Sequence, residues 1–166
     1  MYLSAIESPL GRLILTANDT ALTGLWFADQ TNAPNCPNGI LRPEHPAFKQ
    51  AFNWLNAYFS RSPLPPLPPL APQGSDFQQA VWQQLLEIPY GSTTTYGTIA
   101  DRLRTNGLGA SAQAVGGAVG HNPILILIPC HRVIGSNGSL TGYVAGLEIK
   151  RRLLALECNG IIPYIY

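Results

Sequence analysis

Charge is scarce in this chain: only 11% of its 166 residues are Asp, Glu, Lys or Arg, and the formal net charge is +1. So slight a basic excess is not the footprint of a protein that lives on phosphate contacts, and it counts against nucleic acid as a partner. Cysteine is scarce too. Cys36, Cys130 and Cys158 stand far apart with no Cys-x-x-Cys, which leaves a disulfide framework and a zinc ribbon without support. No apolar run approaches ~20 residues, so no membrane span is expected. The stretch Met1–Glu7 lacks the basic flank and apolar core of a secretion signal. These absences together point to a reducing compartment, with the cytoplasm as the expected location. What is plentiful is hydrophobic residues, 46%, with 16 Gly and 15 Pro, the composition of a soluble globular protein. The length suits one sizeable domain or two small ones.

Residues 2–7, 11–17 and 22–28 are short and β-rich, separated by Ser8-Pro9-Leu10-Gly11 and Asn18-Asp19-Thr20, and predict an antiparallel meander. Phe48, Ala51, Phe52, Leu55 and Phe59 recur at helical spacing and predict an amphipathic helix over 46–60. Residues 62–74 are dominated by proline, which favours extended polyproline II and excludes helix. This stretch reads as a semi-rigid linker or strap, with an SH3-type ligand as the weaker alternative. It divides the chain into 1–74 and 75–166.

The second part opens on Ser75-Asp76-Phe77-Gln78, a capping-box pattern, followed by the stripe Phe77, Val81, Leu85, Ile88. A helix over 96–104, a Gly-containing turn, and a Ser111-capped helix of small residues over 112–119 give the outline of a helix-turn-helix. Gly116 and Gly117 inside that last helix cost roughly 1 kcal/mol each against Ala. Either another backbone comes close there or helices pack tightly. Over 147–158, Lys150, Leu153, Leu154 and Glu157 share one face, and a carboxylate beside leucines needs a partner if buried.

The most telling segment is Ile128-Pro129-Cys130-His131-Arg132-Val133, which follows the apolar run Ile124–Ile128. That run predicts a fully buried strand, and Pro129 should end it. A thiol and an imidazole are thus delivered at the end of a core element, where a pocket can form. A thiol becomes a good nucleophile only with a base beside it, and the base needs a group that fixes its tautomer. Cys130, His131 and Glu157 are the candidate nucleophile, base and orienter. Consecutive strand residues face opposite ways, so either the chain turns at Pro129 or a water relays the proton. Taken alone, a buried free cysteine is more often an inert core residue.

Four separated motifs change that balance. Gln113–Pro123, Ile128–Ile134, Thr141–Leu147 and Leu153–Glu157 stand in the order and form that resembles the O6-alkylguanine-DNA alkyltransferases, or methylated-DNA–protein-cysteine methyltransferases. The resemblance covers residues 75–160, and residues 2–28 are similar to the family's first domain. It implies an N-terminal α/β ribonuclease-H-like domain and a mainly α, winged-helix-like C-terminal domain with a helix-turn-helix. It implies monomeric binding in the minor groove of double-stranded DNA and extrusion of the damaged guanine. Its products would be repaired O6-alkylguanine, and O4-alkylthymine, with the alkyl group left irreversibly on Cys130. By resemblance His131 takes the thiol proton through water, Glu157 holds His131, Asn122 shapes the turn and Tyr96 protonates the guanine ring. The carbonyls of Cys130 and Val133 would read the guanine amino group, with Tyr143 and the Val144 amide facing O6. Ser136 and Lys150 are further pocket contacts. The reading requires Cys130 to be ionised in a cleft that admits one nucleobase.

Two departures stand out. Gln113 occupies the place where the family usually carries an intercalating arginine; it is shorter and uncharged, which implies weaker duplex binding or slower flipping. The turn over 104–110 is a few residues longer than the family's. Cys36 and His45 are too few for a four-ligand zinc site, so no metal and no cofactor is expected. Three other readings compete: a lesion sensor of the same fold that does not repair, a cysteine hydrolase unrelated to DNA, and a non-catalytic transcription regulator.

Overall fold

The computed structural model describes residues 1–159. They fall into two compact units, the first Met1–Gln73 and the second beginning at Gly74. In the first, β1 (Tyr2–Ser8), β2 (Gly11–Ala17) and β3 (Leu22–Phe27) form the antiparallel meander, and β4 (Ile40–Leu41) adds in parallel to β1. The β1–β2 turn is tied by Ser8, whose hydroxyl donates to the Gly11 carbonyl at 2.6 Å and accepts from the Leu10 amide at 3.2 Å. Alternation along β2 puts Leu13 and Leu15 in the core, under α1 (Pro46–Ser60). That helix starts where His45 Nδ1 accepts from the Ala47 amide and Pro46 takes the first helical position, where a missing N–H costs nothing. Its buried stripe is Phe48, Ala51, Leu55 and Tyr58, each large side chain contributing about 1.5–3 kcal/mol by leaving water.

The proline-rich stretch does not hang free. The Leu22 amide donates to the Pro69 carbonyl at 2.9 Å, and the Ala71 amide donates to the Leu22 carbonyl at 2.7 Å. Leu70 thereby bridges to Leu22 in parallel, so the strap is fastened to the open edge of β3.

In the second unit, α2 (Asp76–Leu86) begins at Ser75 with a complete capping box shared with Gln78. It packs with α3 (Tyr96–Thr105) and α4 (Ala112–Gly120), and the Trp82 indole N–H donates to the Ala118 carbonyl at 2.9 Å. A Cβ on Gly74 would come within 2.4 Å of the Trp82 ring, so that position tolerates only glycine. A short parallel pair, β5 (Thr94–Thr95) with β6 (Val133–Ile134), and the closing helix α5 (Leu147–Asn159) complete the unit.

Two sequence expectations fail here. The run Ile124–Ile128 is buried throughout but is not a strand. Its backbone closes on itself: Leu127 donates to Leu125, Ile128 to Ile124 and Cys130 to Ile128, with Ile126 at φ 71°. The Asn122 side chain supplies what a sheet neighbour would have, donating to the Ile128 carbonyl at 2.8 Å and accepting from the Ile124 amide at 3.0 Å. Close packing among the described residues does not account for the glycine pair in α4 either. A Cβ on Gly117 would meet nothing within 4 Å, and one on Gly116 only the Tyr96 ring at 3.7 Å. Among the described residues no backbone and no tightly packed helix demands them.

Candidate active site

After Pro129 the chain makes a single 3-10 turn, Cys130–Arg132, closed by the Val133 amide on the Cys130 carbonyl. That turn settles how adjacent residues can serve one site, because the chain is not extended here. Cys130 reaches the wall of a cleft of about 510 Å³, while His131 turns into the interior with no exposure. Gly116 and Gly120 of α4, Tyr96 of α3 and the loop Thr141–Val144 line the rest of the cleft. Such a volume suits a small ligand or a single nucleobase.

Behind the thiol, His131 Nε2 lies 2.6 Å from Glu157 Oε1. Glu157 therefore accepts the Nε2 proton, which leaves Nδ1 as the basic nitrogen of a neutral imidazole. Burial pushes the His131 pKa down; the Glu157 carboxylate opposes this, and Arg132 and Lys150 reinforce it. Burial alone would raise Glu157, but hydrogen bonds and charge from His131 and Arg132 win and bring it from 4.5 to about 2. A carboxylate with that many donors stays ionised.

The thiol itself departs from the expectation of an ionised sulfur. Burial pushes Cys130 up to about 11, against the Asn122 amide and the Lys150 charge, which both lower it. In the resting protein it is a thiol, 3% exposed, and desolvation is the reason. The Tyr143 hydroxyl is buried beside it, and its hydrogen-bonding contact there is with Cys130. Burial, and then the nearby Cys130 and Glu157, hold its pKa well above the usual phenol value.

Of the sequence-predicted residues, Cys130, Tyr96, Tyr143 and Val144 line the cleft. His131, Glu157 and Asn122 lie buried behind it. Gln113 is exposed near the start of α4, and Ser136 is exposed outside the cleft. Lys150 is fully buried and does not line the cleft: its Nζ donates to the Val133 carbonyl at 2.6 Å and the Thr141 carbonyl at 3.0 Å. The Val133 carbonyl is thus already engaged. The Tyr96 hydroxyl donates to the same Thr141 carbonyl at 3.0 Å.

Sequence reasoning gave no role to Arg132, which forks onto Glu157 through Nε at 2.9 Å and Nη2 at 3.0 Å, with Nη1 on the Ile88 carbonyl at 2.7 Å. Nor did it foresee the Gly91 amide, which donates to Glu157 Oε2 at 3.1 Å. A usable signal was present: a buried carboxylate has about four acceptor positions, and one imidazole fills only one. Among the described residues no cluster of His, Cys, Asp and Glu could hold a metal ion. No helix there is long and apolar enough to cross a membrane.

Comparison with known proteins gives the same answer along the whole chain. Residues 1–69 match the family model "6-O-methylguanine DNA methyltransferase, ribonuclease-like domain", and residues 76–159 match its "DNA binding domain". A methylated-DNA–protein-cysteine methyltransferase of Mycobacterium tuberculosis is 46% identical over 157 residues, covering 95% of this chain and 92% of that one. One from Methanosarcina mazei is 43% identical over 161 residues, covering 97% and 99%. Among solved structures, the Mycobacterium tuberculosis OGT in complex with DNA superposes with a TM-score of 0.85 at 45% identity, over 95% of this chain and 93% of that one. A Methanococcus jannaschii O6-methylguanine DNA methyltransferase follows at 0.65 and 27%, over 98% of each chain.

Proposed function

The chain belongs to the 6-O-methylguanine DNA methyltransferase family, and on that premise we propose that it repairs DNA by moving the alkyl group of O6-alkylguanine, once and irreversibly, to Cys130. The observation that carries the assignment is the placing of that thiol on a nucleobase-sized cleft with a buried His131–Glu157 pair behind it.

In this reading α3, the turn and α4 act as a helix-turn-helix within a winged-helix-like domain, and a single copy of the protein engages the minor groove of duplex DNA. The damaged base must leave the stack, because a stacked guanine cannot offer its alkyl carbon to a thiol in line. Gln113, near the start of α4, would replace the flipped base, weakly for want of a charged plane. The open face at Gly117 leaves room for a duplex backbone to come close to α4.

The step then balances. The Sγ–carbon bond forms as the carbon–O6 bond breaks, and the thiol proton passes through a water to His131 Nδ1. Glu157 stabilises the imidazolium. Tyr96 gives its proton to the purine ring, which leaves as neutral guanine, so its hydroxyl must first release Thr141. The Tyr143 hydroxyl, beside Cys130 on the cleft wall, is a donor suited to O6, with Val144 next to it. The Cys130 and Val133 carbonyls would read the amino group, with Lys150 tying the Val133 carbonyl to that of Thr141; Ser136, exposed outside the cleft, would have to reach the base from its rim. O4-alkylthymine offers a similar carbon and is the second substrate. A thioether has no hydrolysable bond, so each molecule acts once. The cytoplasm is the expected setting.

Intact-mass measurement after exposure to O6-methylguanine duplex is the test. The wild type gains one methyl group on Cys130 and Cys130→Ala gains none; multiple turnover on an ester with no mass gain would replace this reading with a hydrolase.

A further inference from the structure

The exposed residues of α4 are Ala112, Gln113, Ala114, Gly117 and Gly120, and His121 follows them, also exposed, as the C-cap. Gln113, Gly117 and His121 are spaced by four and form one line along the helix. Nothing lies within 4 Å of where a Gly117 Cβ would stand, so the line is open at its middle. Its far end meets the cleft, because Gly120 beside His121 is part of the cleft wall. The line holds no lysine, arginine or carboxylate, and Gln113 and His121 are its only side chains able to hydrogen-bond.

The His121 ring cannot present either nitrogen at will. Its Nδ1 lies 2.7 Å from the Gly117 carbonyl oxygen. A carbonyl oxygen only accepts, so in the neutral ring the proton sits on Nδ1 and Nε2 is a bare acceptor. Nε2 makes no hydrogen bond to any described residue. An acceptor held in a fixed direction does not match a phosphate, whose oxygens also accept. It does not match an A·T pair in the minor groove either, which shows only the acceptors N3 and O2. The 2-amino group of guanine is the one donor that groove offers.

We infer that His121 reads the surroundings of the lesion: its Nε2 accepts from the 2-amino group of a guanine in a flanking G·C pair, so that the protein prefers G·C at one position near the base it flips. This preference rests on the proposed function, in which α4 enters the minor groove, and adds sequence context to it. Eight residues of α-helix span about 12 Å, roughly three base steps, so the pair read by His121 is not the one served by Gln113. The single carboxylate of α3, Asp101, does not compete as an acceptor, since Arg104 engages it.

Inosine tests this directly, because it lacks the 2-amino group and leaves the major-groove edge of guanine unaltered. Duplexes with one O6-methylguanine carry G·C or inosine·C at each flanking position in turn. Binding is measured at pH 8 and fixed salt on full-length Cys130→Ala, which holds the lesion without consuming it. The same protein with His121→Ala or His121→Phe added is measured in parallel. One position binds about three- to tenfold tighter with guanine than with inosine, the worth of one hydrogen bond. Both His121 substitutions level that position and leave the others as they were.

A level profile without the His121 substitutions overturns the inference. So does a guanine preference that survives His121→Ala, or one kept by His121→Phe, which retains the ring and lacks the acceptor. A loss by one common factor on every duplex, with the salt slope reduced by about one, also overturns it, since that marks a phosphate contact. Methyl gain on wild-type Cys130 together with a level profile defeats the inference alone. A stepped profile without methyl gain upholds it on a protein that binds the lesion and does not repair it, and absence of any duplex binding defeats both.

Discussion

His131 Nε2 and Glu157 Oε1 meet at 2.6 Å with both side chains wholly shielded from solvent. Replacing the acid by its amide keeps the shape and removes the charge that stabilises an imidazolium. Glu157→Gln should lower the rate of alkyl transfer about 10²-fold, the lower range for losing acid–base assistance. It also strands the buried Arg132, so denaturant unfolding should show a loss of roughly 3–5 kcal/mol. An active, undiminished variant would remove Glu157 from the mechanism.

Acid should unfold the second unit through the same pair. Glu157 is held at about 2 against an ordinary 4.5, so its contribution is complete above 4.5 and disappears as pH falls toward 2. By linkage this amounts to roughly 3 kcal/mol. His131 acts in the same direction, because its pKa is lowered on folding and protonation below the usual imidazole range favours the unfolded chain. Urea midpoints should therefore drop as pH is lowered from 7 to 3, and Glu157→Gln should flatten the lower part of that curve.

Cysteine reactivity should run against the catalytic assignment in the resting protein. Cys158 is exposed, Cys36 half-buried and Cys130 buried with its pKa pushed up to about 11. Iodoacetamide at neutral pH should label them in that order, and peptide mapping at timed intervals would expose any inversion.

The empty space at Gly117 gives a substitution with two opposite readouts. Gly117→Ala meets no atom within 4 Å and should stabilise α4 by about 1 kcal/mol. If α4 faces the duplex, the same methyl should weaken binding to methylated DNA, measured by titration at fixed salt. A variant both more stable and equally tight would mean that this face stays clear of DNA.

Much of the scaffold was legible because it was written in local code. The stripe of α1, the capping box at Ser75 and Gln78, the Ser111 cap and the three-strand meander depend on neighbours within a few residues, and each forms as its pattern implies. Ile124–Ile128 was not legible, since an apolar run without a period fixes burial and leaves the backbone path open. Asn122 decides that path by satisfying Ile124 and Ile128, and no rule of spacing announces it. The candidate site divided in the same way. Motif order named the cysteine, the imidazole and the acid, whereas Arg132 had no role and Lys150 was expected as a pocket contact until their carbonyl and carboxylate partners came into view. Charged residues are rarely buried unless paired, and the pairs here are 9 to 44 positions apart.

The fastening of Leu70 to Leu22 has a bearing on how the molecule could be divided. A fragment ending at Gln73 would take its own edge guard with it, leaving the Leu22 amide and carbonyl sealed from a neighbouring copy. Trimming the same fragment back before Pro68 would strip both groups bare. The shorter piece, differing by only a handful of residues, should be the one that clumps through strand-to-strand contact.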